Sequence, residues 1–243
     1  MVSFAERAMA YNVLNAPIRP YPYPHIYVPE VFPPEYYAEM QRNMPRHEAM
    51  APIGEVRPVS GYNERFVLQL LGPMDGLTAP QAAFWDDFGR WLLSGRFRDL
   101  LLMKFRAQVS HRFQGIADVQ FRDEAMLVED QTNYALGPHT DTPAKVVTVL
   151  FYLPPDASRA HLGTSIYVPK DPTFRCPGTA HHDRDGFDRV ATMPFTPNSL
   201  FAFVKTNQTF HGVESVEDPD PRRWLLLYDI KMVQAPKVEG GPG

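Results

Sequence analysis

Only one cysteine, Cys176, occurs in 243 residues, so no disulfide framework can form and a reducing compartment is expected. Long apolar runs are equally scarce. The longest, such as Val146–Leu153, are strand length and include Thr148, well short of the roughly 18 residues a membrane span needs. The opening stretch MVSFAERAMAYNVL has no secretory apolar core, because Glu6 and Arg7 interrupt it. Charge of one sign is not in excess: 24 Lys+Arg against 28 Asp+Glu leave a formal charge of −4, with no electrostatic reason for a nucleic-acid or anionic-membrane partner. Neither a nucleophile elbow around Ser or Cys nor a Gly-rich phosphate loop is present. These absences predict a cytoplasmic protein with no nucleic-acid or membrane partner, whose sequon Asn207-Gln208-Thr209 carries no sugar.

What the chain does have is proline, 25 residues against 15 glycines, about twice average proline usage. Proline is excluded from helix interiors and central strands, so many short elements joined by rigid turns follow. The length suits one domain, read here as an N-terminal strand-and-helix support (1–118), a β core (119–233) and a flexible tail (234–243). HIYV reads as a short strand, Pro33-Pro34 opens a helix over EYYAEMQRNM, and Phe84, Phe88, Trp91 and Leu92 recur at helical spacing in AAFWDDFGRWLL. FRDLLLMKF continues as another helix. From about residue 119 the period becomes that of strands: VQFRDEAMLVEDQTNYAL reads as two strands meeting near Glu129-Asp130, Gly137-Pro138 as a turn, and KVVTVLFYL as the clearest strand. Within residues 154–190 only TSIYV looks like a strand, and SLFAFVK, Phe210–Val216 and Arg222–Val233 follow. Helices first and short strands afterwards predict an α+β, mainly β fold, a jelly-roll with the helices packed on one face.

The informative segment is YALGPHTD. On a strand, His139 and Asp141 point to one face, so a ring nitrogen and a carboxylate can converge on one metal. Such a pair is weak evidence alone: with 8 His and 16 Asp, chance supplies about half a match. A second one, His181 and Asp183, lies in CPGTAHHDRDGFD with no strand beside it and reads as a solvated loop; a zinc site of Cys176, His181 and His182 would lack a fourth ligand. His139 and Asp141, by contrast, immediately precede the best strand. His211, in FHGVESV, is the candidate third ligand of a two-histidine, one-carboxylate face, the arrangement that holds non-haem iron(II) with open positions. Arg222 and Arg223 then lead an apolar strand, and a guanidinium entering an apolar interior calls for an anion to meet it bidentately.

Taken together, YALGPHTD…FHGVESV…RRWLLLYDI resembles the iron(II)/2-oxoglutarate-dependent dioxygenases of the prolyl-hydroxylase-like type. Their signature is H-x-D, a distal His and a basic residue about ten positions on, carried on a double-stranded β-helix (a jelly-roll, cupin-like barrel). The resemblance covers about residues 119–233, and PYPHIYVPEVFPPEYYAEM is similar to the family's entry strand and helix. It implies that His139, Asp141 and His211 hold Fe(II), that 2-oxoglutarate and dioxygen are cosubstrates, and that a small molecule or peptide side chain is hydroxylated with release of succinate and CO2. The intact Asp141 implies oxygenation rather than halogenation. Alternation puts Arg222 and Arg223 on opposite faces, and Arg223, which shares its face with Leu225 and Leu227, is taken as the cosubstrate's partner, with Arg222 as the alternative if EDPDP shifts the register. Tyr134 resembles the tyrosine that some members use on the distal carboxylate, and Thr148 is a further candidate for that pocket.

The other polar and aromatic residues read as structural: His25, His47, His111 and His161 have no partner at ligand spacing, and Trp85 and Trp91 belong to a core. Two competing readings remain open, a non-catalytic metal- or sugar-binding cupin-like barrel and a cosubstrate-independent metal enzyme on the same fold. Neither explains an arginine placed to meet a dicarboxylate.

Overall fold

The computed structural model describes residues 3–56, 65–116, 118–131, 135–178, 180–215 and 222–233. In chain order the elements are α1 (Phe4–Asn15), β1 (His25–Val28), α2 (Pro34–Arg42), β2 (Ala51–Pro52), α3 (Ile53–Val56), β3 (Arg65–Gln69), α4 (Ala79–Leu92), α5 (Arg96–Lys104) and α6 (Arg106–Arg112), then β4 (Phe121–Asp130), β5 (Leu136–His139), β6 (Lys145–Tyr152), β7 (Thr164–Pro169), β8 (Phe187–Met193), β9 (Ser199–Val204), β10 (His211–Val213) and β11 (Arg223–Met232). The helices start where local chemistry satisfies their first amides. Ser3 accepts from the Glu6 N–H ahead of α1, Pro34 opens α2, and Thr78 with Gln81 closes a capping box on α4.

Two antiparallel sheets face each other. The larger has the order β1-β9-β6-β11-β4-β3-β2, the smaller β5-β10-β7-β8. Period-two alternation divides the side chains of the large sheet between two cores. Val128, Leu150, Tyr152, Phe201, Phe203 and Leu225 point inward and meet Leu136, Ile166 and Val213 of the small sheet. Leu127, Val147, Val149, Phe151, Leu226 and Tyr228 point outward against Met9, Val13, Trp85, Phe88 and Phe97 of the helices. This is the expected jelly-roll with helices on one face, as two opposed sheets: among the described residues no strand pairing joins one sheet to the other. Trp85 and Trp91 are buried in the helix-side core. No helix among the described residues is long and apolar enough to cross a membrane.

Several details depart from the sequence reading. Gly137 and Pro138 lie inside β5 rather than in a turn; β5 is the edge of its sheet, where proline's missing N–H goes unneeded. β8 was not anticipated, because Asp188, Arg189 and Val190 are all exposed and hide its alternation. Helix α1 was also missed: Phe4, Tyr11 and Leu14 are exposed and blur the stripe made by Ala5, Met9 and Val13. The EDPDP stretch (217–221) and the tail (234–243) lie outside the described residues.

Phe151 joins the layers, stacking on Phe32 at 5.6 Å between ring centroids and tilted against Phe97 at 5.9 Å. Phe151→Ala should cost about 3–5 kcal/mol in urea unfolding, since both a large apolar side chain and its packing are lost. A loss below about 1 kcal/mol would mean that the helices do not pack on the sheet as described.

Candidate metal centre

β5 and β10 are neighbours in the small sheet, and their register sets His139, the last residue of β5, directly opposite His211, the first of β10. The two rings lie 4.3 Å apart between centroids. Each imidazole is held in the same way. His139 Nδ1 lies 3.0 Å from the Gly137 carbonyl and His211 Nδ1 lies 3.0 Å from the Thr209 carbonyl. A carbonyl only accepts, so each Nδ1 carries the proton and each Nε2 presents a lone pair. Burial, then the neighbouring His211, pushes His139 down to about 3, and burial also lowers His211, so both rings are neutral near pH 7.

Asp141 follows where the chain leaves β5. Its Oδ2 lies 3.8 Å from His211 Nε2, and one ligand atom from each of His139, Asp141 and His211 falls within 4.8 Å of the others. Thr148 donates to Asp141 Oδ2 at 2.6 Å and Lys145 donates to Oδ1 at 2.9 Å. Burial opposes ionisation of Asp141, but the Lys145 ammonium outweighs it and holds the carboxyl below its usual range. Two neutral imidazoles and one ionised carboxylate on one face are a donor set suited to a divalent first-row metal. Among the described residues this is the only such group; Cys176, His181 and His182 form none.

Farther along the interior, β11 sends Arg223 between the sheets, where it is 1% exposed. Its Nη1 donates to Asp130 at 2.7 Å and its Nε to the Leu162 carbonyl at 2.6 Å. Its Nη2 is buried with no hydrogen-bond partner, an orphaned cationic donor of the kind that a buried anion satisfies. Asp130 also accepts two bonds from Arg65, at 2.6 and 3.0 Å. Tyr152 lies beside the guanidinium, 5.9 Å from its carbon to the ring centroid. Its hydroxyl accepts from the Thr164 N–H at 3.2 Å, and burial, the largest influence, pushes the phenol up to about 12, so its proton is available to donate. Thr164 Oγ1 is buried and unpartnered as well. Thr148 at the triad and Tyr152 beside the arginine share the inner face of β6, about 13 Å apart along the strand.

No protein-family model and no curated protein matches the sequence. Solved structures do. The non-heme alpha ketoglutarate dependent epimerase SnoN from nogalamycin biosynthesis is 15% identical over 93% of this chain and 80% of that one, with a TM-score of 0.52. SnoN in complex with Fe3+, alpha ketoglutarate and nogalamycin RO is 14% identical over 93% and 82%, with a TM-score of 0.50. A Pseudomonas putida prolyl-4-hydroxylase is 12% identical over 93% and 98%, with a TM-score of 0.49. The chain has the fold of the non-haem 2-oxoglutarate-dependent enzymes.

On that fold the residues singled out from sequence fall as follows. His139, Asp141 and His211 come together. Arg223 is buried, whereas Arg222 is half exposed with Nε 3.7 Å from Glu129 Oε1. Thr148, expected in the cosubstrate pocket, bonds the carboxylate of Asp141 instead, because β6 begins beside the triad and reaches Arg223 only four residues later. Tyr134 lies outside the described residues. The second H-x-D segment is no remote loop: His182 N–H donates to the Pro138 carbonyl at 2.9 Å, and the His181 ring lies 4.7 Å from that of His139. Gly137 permits that contact, since a Cβ there would sit 2.6 Å from the His182 carbonyl oxygen. Sequence reasoning missed Tyr152, Thr164, Lys145 and Asp229. The last two had a signal, each being a charge set in an apolar run, KVVTVLFYL and LLLYDI.

His139→Ala or Asp141→Ala should lower Fe(II) affinity by at least about 100-fold in anaerobic calorimetry, with the circular dichroism of the fold retained. Affinity equal to the unmodified chain in either variant would remove the metal assignment.

Proposed function

We infer that the protein is an iron(II)- and 2-oxoglutarate-dependent oxygenase that hydroxylates a small molecule or a side chain and releases succinate and CO2. The observation that carries this reading is the conjunction of the His139/Asp141/His211 face with the orphaned Nη2 of Arg223 deep in the same interior. A binding module or a cosubstrate-independent enzyme needs the first and has no use for the second. The Nε2 atoms of His139 and His211 and the Asp141 carboxylate would hold the metal, a donor set that leaves positions open to other ligands. Iron(II) bound there supplies the oxidising chemistry, with dioxygen as oxidant and the 2-oxo acid as co-reductant.

The chain's own residues do the orienting. Gly137 and Thr209 carbonyls fix both imidazoles in the tautomer that presents Nε2. Arg223 Nη2 and the Tyr152 hydroxyl receive the distal carboxylate, a charge-assisted contact made stronger by burial. Leu150, Phe201 and Phe203, all on the inner face, keep water from the space between. SnoN is an epimerase, so the product assay must register oxygen insertion and not only substrate loss.

The test is an anaerobic titration with Fe(II) and 2-oxoglutarate that follows the visible charge-transfer band of the chelate. A band that is present in the unmodified chain and absent in His139→Ala is expected. Tight Fe(II) binding without a band points to the cosubstrate-independent enzyme; no metal binding at all points to the binding module. Arg223→Ala should weaken 2-oxoglutarate by at least about 10-fold and leave Fe(II) affinity nearly unchanged, because a buried charged hydrogen bond is lost far from the metal. If Arg222→Ala did this instead, the cosubstrate would lie elsewhere.

A further inference from the structure

Behind the metal ligands, one ammonium is buried between two carboxylates. Lys145 opens β6, and the β6–β11 ladder shifts register between Ile230 and Lys231, beside it. Its Nζ lies 2.9 Å from Asp141 Oδ1 and 3.0 Å from Asp229 Oδ1. Asp229, 2% exposed, is the cross-strand partner of Thr148. Burial pulls the ammonium down, yet Asp141 and then Asp229 outweigh it and hold Lys145 above its usual range; burial raises the Asp229 carboxyl, which the same ammonium opposes. The two oxygens of Asp141 are therefore not equivalent. Oδ1 faces a full positive charge, whereas Oδ2 faces a neutral hydroxyl and the Nε2 of His211.

A carboxylate can bind a metal through one oxygen or both, and the second oxygen takes a coordination position that another ligand would use. We propose that Lys145, held by Asp229, is a positioning residue that reserves Oδ1 of Asp141, so that the carboxylate serves the metal through Oδ2 alone and three positions stay open. The inference rests on the metal-site reading given above. Asp229 completes the arrangement by geometry: its Oδ1, 3.0 Å from Nζ, holds the ammonium from a second side and so fixes where it meets Oδ1 of the ligand. A buried ion pair is an uneconomical way to gain stability, which favours a role in geometry.

The experiment uses the full chain and measures two affinities by anaerobic calorimetry, first Fe(II), then 2-oxoglutarate into the Fe(II)-loaded protein. In Lys145→Met, Oδ1 is released to the metal. Fe(II) affinity should stay within about 3-fold of the unmodified chain or tighten, while 2-oxoglutarate affinity falls at least about 10-fold, a split that a merely structural role would not produce. Because Lys145→Met leaves Asp229 buried without its partner, Lys145→Met/Asp229→Leu is measured alongside; it removes both charges, keeps the volume and should retain the fold and show the same split. Unchanged 2-oxoglutarate affinity in the folded variants overturns the proposal, and so does a parallel loss of both affinities in the double variant. If the unmodified chain binds no Fe(II), the metal-site reading fails and this proposal with it; if it binds both ligands and the variants match it, only this proposal fails.

Discussion

The large sheet is sandwiched between two apolar layers, helices outside and the small sheet inside, and this constraint governs everything placed on it. A strand such as β6 must be apolar on both faces, so any polar group on the inner face has to be satisfied by another group brought in with it. The inner face obeys this at its two ends. At one, Lys145 and Thr148 donate to Asp141 beside the histidines, and Asp229 pairs in charge with Lys145. At the other, Arg223 and Tyr152 meet Asp130, Leu162 and Thr164, with the guanidinium one donor short of satisfaction. The apolar side chains of Leu150, Phe201 and Phe203 separate the two ends and keep each network local. Chemistry on such a scaffold is confined to the places where polarity can be balanced, and the unpartnered cationic donor of Arg223 is the imbalance that an anion would relieve.

How much of this is legible in the sequence depends on which physical signal each part uses. β6 was readable because a strand buried on both faces is a continuous β-branched and aromatic run. His139 and Asp141 were readable from their spacing just ahead of the clearest strand, although Asp141 lies past the end of β5, where strand alternation no longer applies. Arg223 was separable from Arg222 by strand alternation, through the apolar residues that share its face. Elements that carry their polar residues outward were not: β8 shows solvent a run of Asp, Arg and Val, and α1 exposes a phenylalanine and a tyrosine. Nor was the long-range pairing that brings His181 beside His139, since a loop's return to a distant strand leaves no periodic trace. Thr148 was read as a pocket residue and Tyr152 was not singled out, because distance along β6 from the triad decides which of them lies beside Arg223, and composition does not.

The likeness to SnoN at 15% identity shows how little of the sequence the architecture demands. Two opposed sheets need alternation and volume, which many residue sets satisfy. What cannot drift freely is the geometry that places one strand end against another. His139 and His211 are direct partners across β5 and β10, so sheet register builds the histidine half of the metal-binding face, and Asp141 joins it from the segment that leaves β5. Such a site inherits the rigidity of the ladder around it.

Asp130 is shared between Arg223 in the interior and Arg65 on β3, near the edge of the large sheet. One carboxylate thus ties the buried guanidinium to a strand next to the rim of the sheet, while Nη2 points away from that tie. The cation that faces the interior and the pairing of β3 with β4 therefore hang on a single side chain, so the aim of Arg223 is anchored from outside the space it faces.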